Sequence, residues 1–298
     1  MEQAVAVVTD TTHYLPRDLV DGNDIHEVSL YVNWRGRTDR EADLPGFDGY
    51  YEHLRTAEDL PTTSQPSVGD FVSVYEPLLA DGREIVSVHL AAGLSGTCES
   101  AQQARQRLVE EGKGGERIFV MDSATACGGE GFIVLAAAAA ARRGLSGGRV
   151  LARSREAREH LKMWFAIDTL EFLRRGGRVG AAQAWLGSTL KIKPILTVES
   201  QITPVERVRT SRRAFERMVD YMRDRHADGA DAWVVQHIQA QDEAAELVAR
   251  GREVYGTEPV FVSEIGPVIG THVGPGLLGC GGLPGRYLDG GRAEPNRD

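Results

Sequence analysis

The chain has 298 residues, which is enough for two domains that each bury their own core. Its 42% hydrophobic and 26% charged residues are typical of a soluble globular protein. The net charge of -9 argues against a sequence-independent grip on nucleic acid or on an anionic lipid surface. The apolar run at 132–141 is far shorter than the roughly 20 residues that cross a bilayer, so it predicts a buried helix.

The cysteines and histidines show no pattern that binds a metal. Cys98, Cys127 and Cys280 lie far apart, and none of the eight histidines belongs to an H-E-x-x-H motif. We therefore expect no metal site and no cofactor. No basic region precedes the first strand, so we expect no secretory signal and a cytoplasmic location.

In chain order, the first half alternates short apolar strands with amphipathic helices. Ser67 precedes apolar residues at helical spacing, and Asp70 follows at the third position, which predicts a capping box. Strands that alternate with helices favour a mostly parallel sheet covered on both faces. The predicted strands lie at 5–8, 25–32, 85–90 and 117–121, and the helices at 47–56, 68–78, 98–110 and 132–141.

The second half shows the same alternation, and the two halves together predict an α/β fold. Each half is expected to form a domain with a mostly parallel sheet flanked by helices, at 1–150 and 151–282, followed by a flexible tail at 283–298. The glycine-rich segment 266–276 is interpreted as a loop. The predicted helices lie at 148–162, 212–225 and 242–250, the strands at 164–167, 232–238 and 259–263, and an apolar hairpin at 192–208.

One loop stands out as a candidate ligand site. The apolar strand at 85–90 leads into Gly93-Leu94-Ser95-Gly96-Thr97 and then into a helix, which directs backbone N–H groups and two hydroxyls at one point. No lysine follows the glycines, so the segment is not a nucleotide-binding P-loop. A single carboxylate is a better ligand than a polyphosphate. The hydroxyl-rich loops at 9–12 and 62–67 are expected at the same rim, beyond the carboxyl ends of the strands.

Two enzymatic alternatives remain open at this point. Asp10 ends an apolar strand like the nucleophile of a haloacid-dehalogenase phosphotransferase, but Thr12 stands where such enzymes have a second aspartate. Ser95 falls within one residue of the G-x-S-x-G elbow of serine hydrolases acting on acyl esters. A third possibility is that a bound lipid only stabilises the fold.

An ordered set of motifs resembles the DegV family of bacterial fatty-acid-binding proteins, which includes the binding subunit of fatty acid kinase. The resemblance covers nearly the whole chain. Its motifs are Thr63-Ser64-Gln65-Pro66-Ser67, Leu94-Ser95-Gly96-Thr97, Asp168-Thr169-Leu170 through Gly176-Gly177-Arg178, Lys193-Pro194-Ile195-Leu196 and Gly270-Thr271-His272.

The resemblance implies that the chain buries one long-chain fatty acid in a tunnel and holds its carboxylate near the domain junction. Thr63 and Ser95 match the residues that hydrogen-bond the carboxylate. The head-group site is supported by Ser64, Gly96, Thr97, Arg178 and His272. By this reading the chain has no catalytic residue of its own. A kinase partner would convert the acid to an acyl-phosphate, and transient membrane contact would allow lipid exchange.

Each site residue also has a structural alternative. Ser95 and Thr97 suit a helix cap, Thr63 suits a turn, and His272 suits a structural hydrogen bond. Arg178 is expected to shape the rim or to dock the partner, because a buried bidentate arginine would make the carboxylate a weaker nucleophile. The small side chains at 136–141 are expected to form part of the tunnel wall.

Overall fold

A computed structural model describes residues 4–57, 59–186 and 192–289. The first half contains a four-stranded sheet in the order β2-β1-β6-β7, with all neighbours parallel, and a separate three-stranded sheet in the order β4-β3-β5. The strands are β1 Val5–Asp10, β2 Ile25–Val28, β3 Tyr31–Trp34, β4 Arg37–Arg40, β5 Thr62–Ser64, β6 Glu84–His89 and β7 Ile118–Asp122.

Helices cover both faces of the parallel sheet because side chains alternate along its strands. Val5 and Val7 pack toward one layer of helices, whereas Ala6 and Val8 pack toward the other. Ser67 caps the third helix with Asp70 at its third position, as predicted. The helices of this half are α1 Arg17–Gly22, α2 Asp48–Thr56, α3 Val68–Ala80, α4 Thr97–Glu110, α5 Gly128–Arg142 and α6 Gly147–His160.

The second half contains a six-stranded sheet in the order β10-β9-β8-β13-β11-β12. The pair β11–β12 is parallel and the other four pairs are antiparallel. The strands are β8 Lys162–Ala166, β9 Lys193–Glu199, β10 Gln201–Val208, β11 Ala232–His237, β12 Phe261–Glu264 and β13 Leu278–Leu283, and the helices are α7 Glu171–Arg175, α8 Ser211–Ala227, α9 Gln241–Tyr255 and α10 Pro267–Val273.

The α/β class is confirmed, but the second sheet is mixed rather than mostly parallel. The difference arises at β13, which lies antiparallel between β8 and β11, and at β9, which lies antiparallel between β8 and β10. Residue 150, the expected domain boundary, falls inside α6, which packs against β6 and β7. Part of the expected tail is ordered, because Leu283 ends a buried strand and Tyr287 is buried, whereas residues 290–298 lie outside the described residues.

Helix α5 explains the alanine run. It is buried along nearly its whole length and packs against β1 on one side and against β11 and β13 on the other. Side chains no larger than a methyl group let the two sheets approach the helix closely. Over the described ranges, no helix combines the length and the apolar character needed to cross a membrane.

Candidate functional site

A cavity of about 280 Å³ lies between the two halves of the chain. This volume is near the lower end of the roughly 300–1,000 Å³ range of small-molecule sites. Most of the lining is apolar, and the polar side chains include Thr63, Gln65, Ser95, Arg178 and His272. The first half contributes Leu30, Thr63, Ser64, Gln65, Leu90, Leu94, Ser95, Thr125, Ala126 and Cys127, and the second half contributes Met163, Trp164, Phe165, Leu173, Arg178, Val198, Ile202, Gln236, Ile265, Val268, Ile269, His272, Val273, Leu277 and Gly279.

Thr63 and His272 form the central polar contact of the cavity. Thr63 lies on β5, where it pairs with Val32 of β3. His272 lies in α10, so the expectation of a loop at this position is wrong. The Oγ1 of Thr63 is 2.7 Å from Nε2 of His272. This hydrogen bond joins residues that are 209 positions apart and fixes β5 against α10.

The imidazole of His272 is electrically neutral at physiological pH. Burial and, to a smaller extent, the positive charge of Arg178 together lower the pKa of His272 to about 4. Its Nδ1 atom is buried without a hydrogen-bond partner among the described residues. Gly176 packs against this atom, and a Cβ at position 176 would lie less than 3.0 Å from it. The ring is therefore held in place by packing on one side and by Thr63 on the other.

Ser95 lies in the loop between β6 and α4. Its Oγ is 2.9 Å from Oγ1 of Thr97, and it accepts a hydrogen bond of 3.3 Å from the backbone N–H of Thr97. The N-cap of α4 is Gly96 rather than Ser95, so Ser95 contacts the first N–H group of the helix from the preceding position and also lines the cavity. Gly96 and Thr97 support this loop without lining the cavity, and Thr97 is fully buried.

Gln65 is a cavity residue that the sequence analysis did not single out. Its Nε2 donates to Oγ of Ser100 over 3.3 Å. Its amide packs so closely on Gly96 that a Cβ there would lie less than 3.0 Å from it. Gly96 thus allows the Gln65 amide to approach the loop closely, and Gly96 does not itself line the cavity. Gln65 belongs to the motif Thr63–Ser67, but a glutamine in a predicted loop does not by itself indicate a binding role.

Arg178 bridges the two halves at the exposed rim. Its Nη1 donates to the carbonyl of Gly176 over 2.7 Å, and its Nε donates to the carbonyl of Leu94 over 3.4 Å. These bonds hold the guanidinium beside the loop that carries Ser95. The arrangement is consistent with a rim residue, and its role in ligand or partner binding stays a prediction.

The structure thus brings Thr63, Ser64, Ser95, Arg178 and His272 to one cavity. The alanines at 136–141 do not line it, so the expectation that they form the tunnel wall is wrong. The lining residues that precede them in the chain are Thr125, Ala126 and Cys127. Burial raises the pKa of the Cys127 thiol well above its usual value, which keeps it protonated.

Asp10 lies outside the cavity lining and is completely buried. Its carboxylate accepts hydrogen bonds from Thr12 and from the backbone N–H of Leu90, and it contacts Nδ1 of His89 at 3.0 Å. Burial alone would raise the pKa of Asp10, but the bonds from His89 and Thr12 hold it below its ordinary value. These contacts support a structural role and offer no path to a substrate.

Among residues 4–57, 59–186 and 192–289, no group of three or more His, Cys, Asp or Glu side chains could hold a metal ion.

Known proteins resemble the chain in sequence and in fold. A family model described as "Uncharacterised protein, DegV family" matches residues 4–284. Protein DegV of Bacillus subtilis (strain 168) is 34% identical over 278 residues, which cover 92% of this chain and 97% of that protein.

Two solved structures extend the comparison. The crystal structure of DegV, a fatty acid binding protein from Bacillus subtilis, matches with a TM-score of 0.84 and 34% identity, covering 94% of this chain and 99% of that one. A DegV family protein from Thermus thermophilus, described for its fatty acid binding, matches with a TM-score of 0.83 and 34% identity over the same shares. The likeness includes both halves that enclose the cavity.

Proposed function

The chain belongs to the DegV family, and from this membership and the geometry of the cavity we propose that it binds one long-chain fatty acid. The observation that carries the proposal is the distribution of polarity in the cavity. Thr63, Ser95, Arg178 and His272 supply its head-group chemistry, and most of the remaining lining is apolar. A molecule with one acidic end and a long hydrocarbon tail matches this distribution.

Most of the affinity is expected from the acyl tail. Burial of a methylene group contributes roughly 0.8 kcal/mol, so a chain of about 15 methylenes offers on the order of 12 kcal/mol before association costs. A hydrogen bond to the carboxylate contributes about 1.5 to 3 kcal/mol. The head-group contacts therefore orient the ligand, whereas the apolar lining retains it.

The tautomer of His272 determines what Thr63 offers to the ligand. If Nε2 carries the proton, it donates to Thr63 Oγ1, and the hydroxyl hydrogen of Thr63 is free to donate to the carboxylate. The opposite tautomer would bury an unpartnered Nδ1–H, which costs more than burying a lone pair. We therefore assign the proton to Nε2, and the fatty acid receives a hydrogen bond from a neutral hydroxyl.

A neutral head-group site suits a carrier that presents a reactive carboxylate. In the proposed reaction, a carboxylate oxygen attacks the terminal phosphoryl group of ATP bound to a kinase partner, which yields acyl-phosphate and ADP. Hydrogen bonds from Thr63 and Ser95 hold the carboxylate without the strong charge neutralisation of a buried bidentate arginine. Arg178 lies at the rim, where it is available to the partner or to a membrane during lipid exchange. By this proposal the chain itself is not an enzyme.

Native mass spectrometry of the purified full chain, followed by lipid extraction, tests the proposal. We expect one bound fatty acid per chain and its exchange with labelled free stearic acid added in solution. Exchange distinguishes a carrier from a protein in which a lipid is a permanent structural component. Absence of any bound or acquired fatty acid would overturn the proposal, and ester hydrolysis lost in Ser95→Ala would favour the hydrolase alternative.

A further inference from the structure

The N-terminus of α10 is capped by side chains from the other half of the chain. Gly266 at the N-cap has no side chain, and Pro267 has no N–H group. The next two donors are satisfied at long range: the N–H of Val268 donates to Oε1 of Glu41 over 2.8 Å, and the N–H of Ile269 donates to the hydroxyl of Tyr14 over 3.3 Å.

The carboxyl group of Glu41 lies at the centre of this contact. The residue is only 4% exposed, and its side chain also accepts hydrogen bonds from Thr11 at 2.8 Å and from Tyr14 at 2.9 Å. Among the described residues, the ionisable groups that interact with it include the acids Asp10, Tyr14, Tyr50, Tyr51 and Cys127. The hydrogen bonds of Glu41 are thus the main interactions that offset the free-energy cost of burying its carboxyl group.

Two tyrosines of α2 hold α10 and the residues just before it. The hydroxyl of Tyr50 is 2.5 Å from Oγ1 of Thr271, and the hydroxyl of Tyr51 donates to the carbonyl of Ile265 over 2.6 Å. A Cβ at Gly266 would lie less than 3.0 Å from Tyr14, Glu41 and Phe47, so the two halves meet here without spare room.

Helix α10 is also a wall of the cavity. Val268, Ile269, His272 and Val273 line it, which is more than half of the seven-residue helix. Gly274 and Gly276 follow the helix with positive φ angles, a conformation that glycine adopts without strain. The position of His272 and the closure of the cavity therefore depend on how firmly α10 is held.

We propose that Glu41 is a positioning residue that docks α10 against the first half of the chain, and that its ionisation loosens this docking and weakens retention of the bound fatty acid. The part that concerns the fatty acid rests on the proposed function. The part that concerns the docking of α10 does not.

The direction of the effect follows from proton linkage. Burial raises the pKa of Glu41 to about 7, although the bonds from Val268, Thr11 and Tyr14 lower it. A state in which α10 separates from Glu41 exposes the carboxyl group to water and returns its pKa toward the ordinary value of 4.5. The docked state then binds the proton more tightly, so rising pH favours separation. Between pH 6 and pH 8.5 the separation equilibrium increases roughly tenfold by this linkage.

Hydrogen exchange of the full chain tests the docking without any ligand. The protection of α10 amides, corrected for intrinsic exchange, is measured between pH 6 and pH 8.5 in the wild type, Glu41→Gln and Asp43→Asn. Asp43 is the matched control because it belongs to the same 3₁₀ helix, Glu41–Asp43, but forms an exposed ion pair with Arg40. We expect protection to fall about tenfold in the wild type and the control, and to stay nearly constant in Glu41→Gln.

The release of radiolabelled stearic acid into phosphatidylcholine vesicles tests the consequence for the ligand. The release rate is expected to rise about tenfold more in the wild type than in Glu41→Gln over the same pH range. The fatty acid carboxyl group titrates in the same way in both experiments, so its effect on the release rate cancels when the two proteins are compared. Identical exchange and release profiles in the two proteins would overturn the inference.

Two outcomes keep the proposals separable. A wild type that binds no stearic acid refutes the proposed function, while hydrogen exchange still decides the role of Glu41. If Glu41→Gln does not fold, Tyr14→Phe replaces it. This change removes a donor to the carboxylate, so the midpoint of the pH-dependent exchange moves to higher pH, and an unmoved midpoint contradicts the inference.

Discussion

The Oγ1 of Thr63 lies 2.7 Å from Nε2 of His272, and this contact joins the short strand β5 to helix α10 across the cavity. The two residues are 209 positions apart in the chain, so only the tertiary fold brings them together. Their approach depends on Gly176, which packs on the opposite side of the imidazole. The geometry of the Thr63–His272 contact therefore depends on a residue that carries no functional group.

Gly176→Ala is expected to displace the ring of His272. The backbone φ of Gly176 is -76°, so alanine is conformationally allowed and the effect is steric. Loss of the Thr63–His272 hydrogen bond would weaken binding by about 1 kcal/mol, or roughly fivefold in the dissociation constant. Displacement of a fluorescent fatty acid analogue measures this change. Gly148→Ala is the control, because no atom lies within 4 Å of a Cβ there, and unchanged binding in both variants would contradict the prediction.

The neutral state of His272 predicts a pH-dependent contribution to stability. Burial lowers the pKa of His272 to about 4, whereas an unfolded histidine titrates near 6.5. The unfolded chain binds the proton more tightly, so this contribution is present above pH 6.5 and is lost as the pH falls toward 4. At pH 5 the loss is about 2 kcal/mol.

Denaturant unfolding of His272→Gln at pH 7.5 and pH 5 tests this contribution. The variant is expected to lose about 2 kcal/mol less than the wild type between these pH values, because glutamine does not titrate. Glu41 acts in the opposite direction in this range, so the difference between the proteins is the informative quantity. His53→Gln, at an exposed histidine, should follow the wild type. Equal losses in all three proteins would refute the prediction.

Most elements of the first half could be predicted from local signals. The alternation of apolar strands with amphipathic helices gives β1, β6 and β7 within a residue or two of their bounds, and the Ser67–Asp70 capping box fixes the start of α3. These signals suffice because apolar periodicity and a capping box are local properties of each element's own sequence. Of the three hydroxyl-rich loops expected at one rim, the Ser95 loop and 62–67 contribute to the cavity lining, whereas residues 9–12 do not, and 62–64 form the antiparallel strand β5.

The second half contains elements whose sequence conceals them. β13 contains three glycines and was not predicted, yet it is a central strand, because Gly281 and Gly282 let the backbones of β8 and β11 approach closely. Helix α10 lacks a local cap, since Glu41 and Tyr14 supply it from the other end of the chain. Such long-range compensation has no local pattern, so neither Glu41 nor α10 was predicted.

Ser95→Ala is expected to separate retention of the ligand from its reaction. Under the proposed function the acyl tail supplies most of the affinity, so the bound fraction measured by native mass spectrometry with fatty acid far above the dissociation constant should fall less than threefold. Formation of acyl-phosphate with a fatty acid kinase subunit and ATP should fall at least tenfold, because the carboxylate loses a donor that orients it. Ser146→Ala, at an exposed serine with no side-chain cap bond, serves as the control. Equal losses of both properties would count against this division.

Gly279 is expected to determine how long an acyl chain the cavity accepts. It lines the cavity, and a Cβ there would meet Phe165 at an ordinary distance of 3.4 Å. Gly279→Ala should therefore fold normally, and Gly279→Val should shift the bound lipids toward shorter chains. Lipid extraction and mass spectrometry report the distribution.

Gly281→Ala provides a contrast on the same strand. Its Cβ would lie less than 3.0 Å from the carbonyl oxygen of Lys162 and from Met163, so this variant should unfold at lower denaturant concentration by about 1 to 3 kcal/mol. If Gly279→Val binds fatty acids with the same distribution of chain lengths as the wild type, a residue other than Gly279 limits the length of the cavity.

Ser87, His89 and Asp10 have the hydrogen-bond order of a serine hydrolase triad, yet all three are completely buried. Ser87 Oγ lies 2.6 Å from Nε2 of His89 and accepts a hydrogen bond of 2.7 Å from Tyr75. With no access for a substrate, this network is expected to act in folding. Ser87→Ala leaves two buried groups without a partner and should cost about 1 to 3 kcal/mol for each.

Labelling and unfolding together test the role of this network. A fluorophosphonate probe should label neither Ser87 nor Ser95, and Ser87→Ala should retain its bound fatty acid while unfolding at lower denaturant concentration. Ser73→Ala, which removes one exposed hydroxyl bonded to the carbonyl of Asp70, should change stability by less than about 0.5 kcal/mol. Labelling of Ser87 in the wild type, lost in Ser87→Ala, would instead show that the network opens to substrates, because only an accessible and activated hydroxyl reacts with the probe.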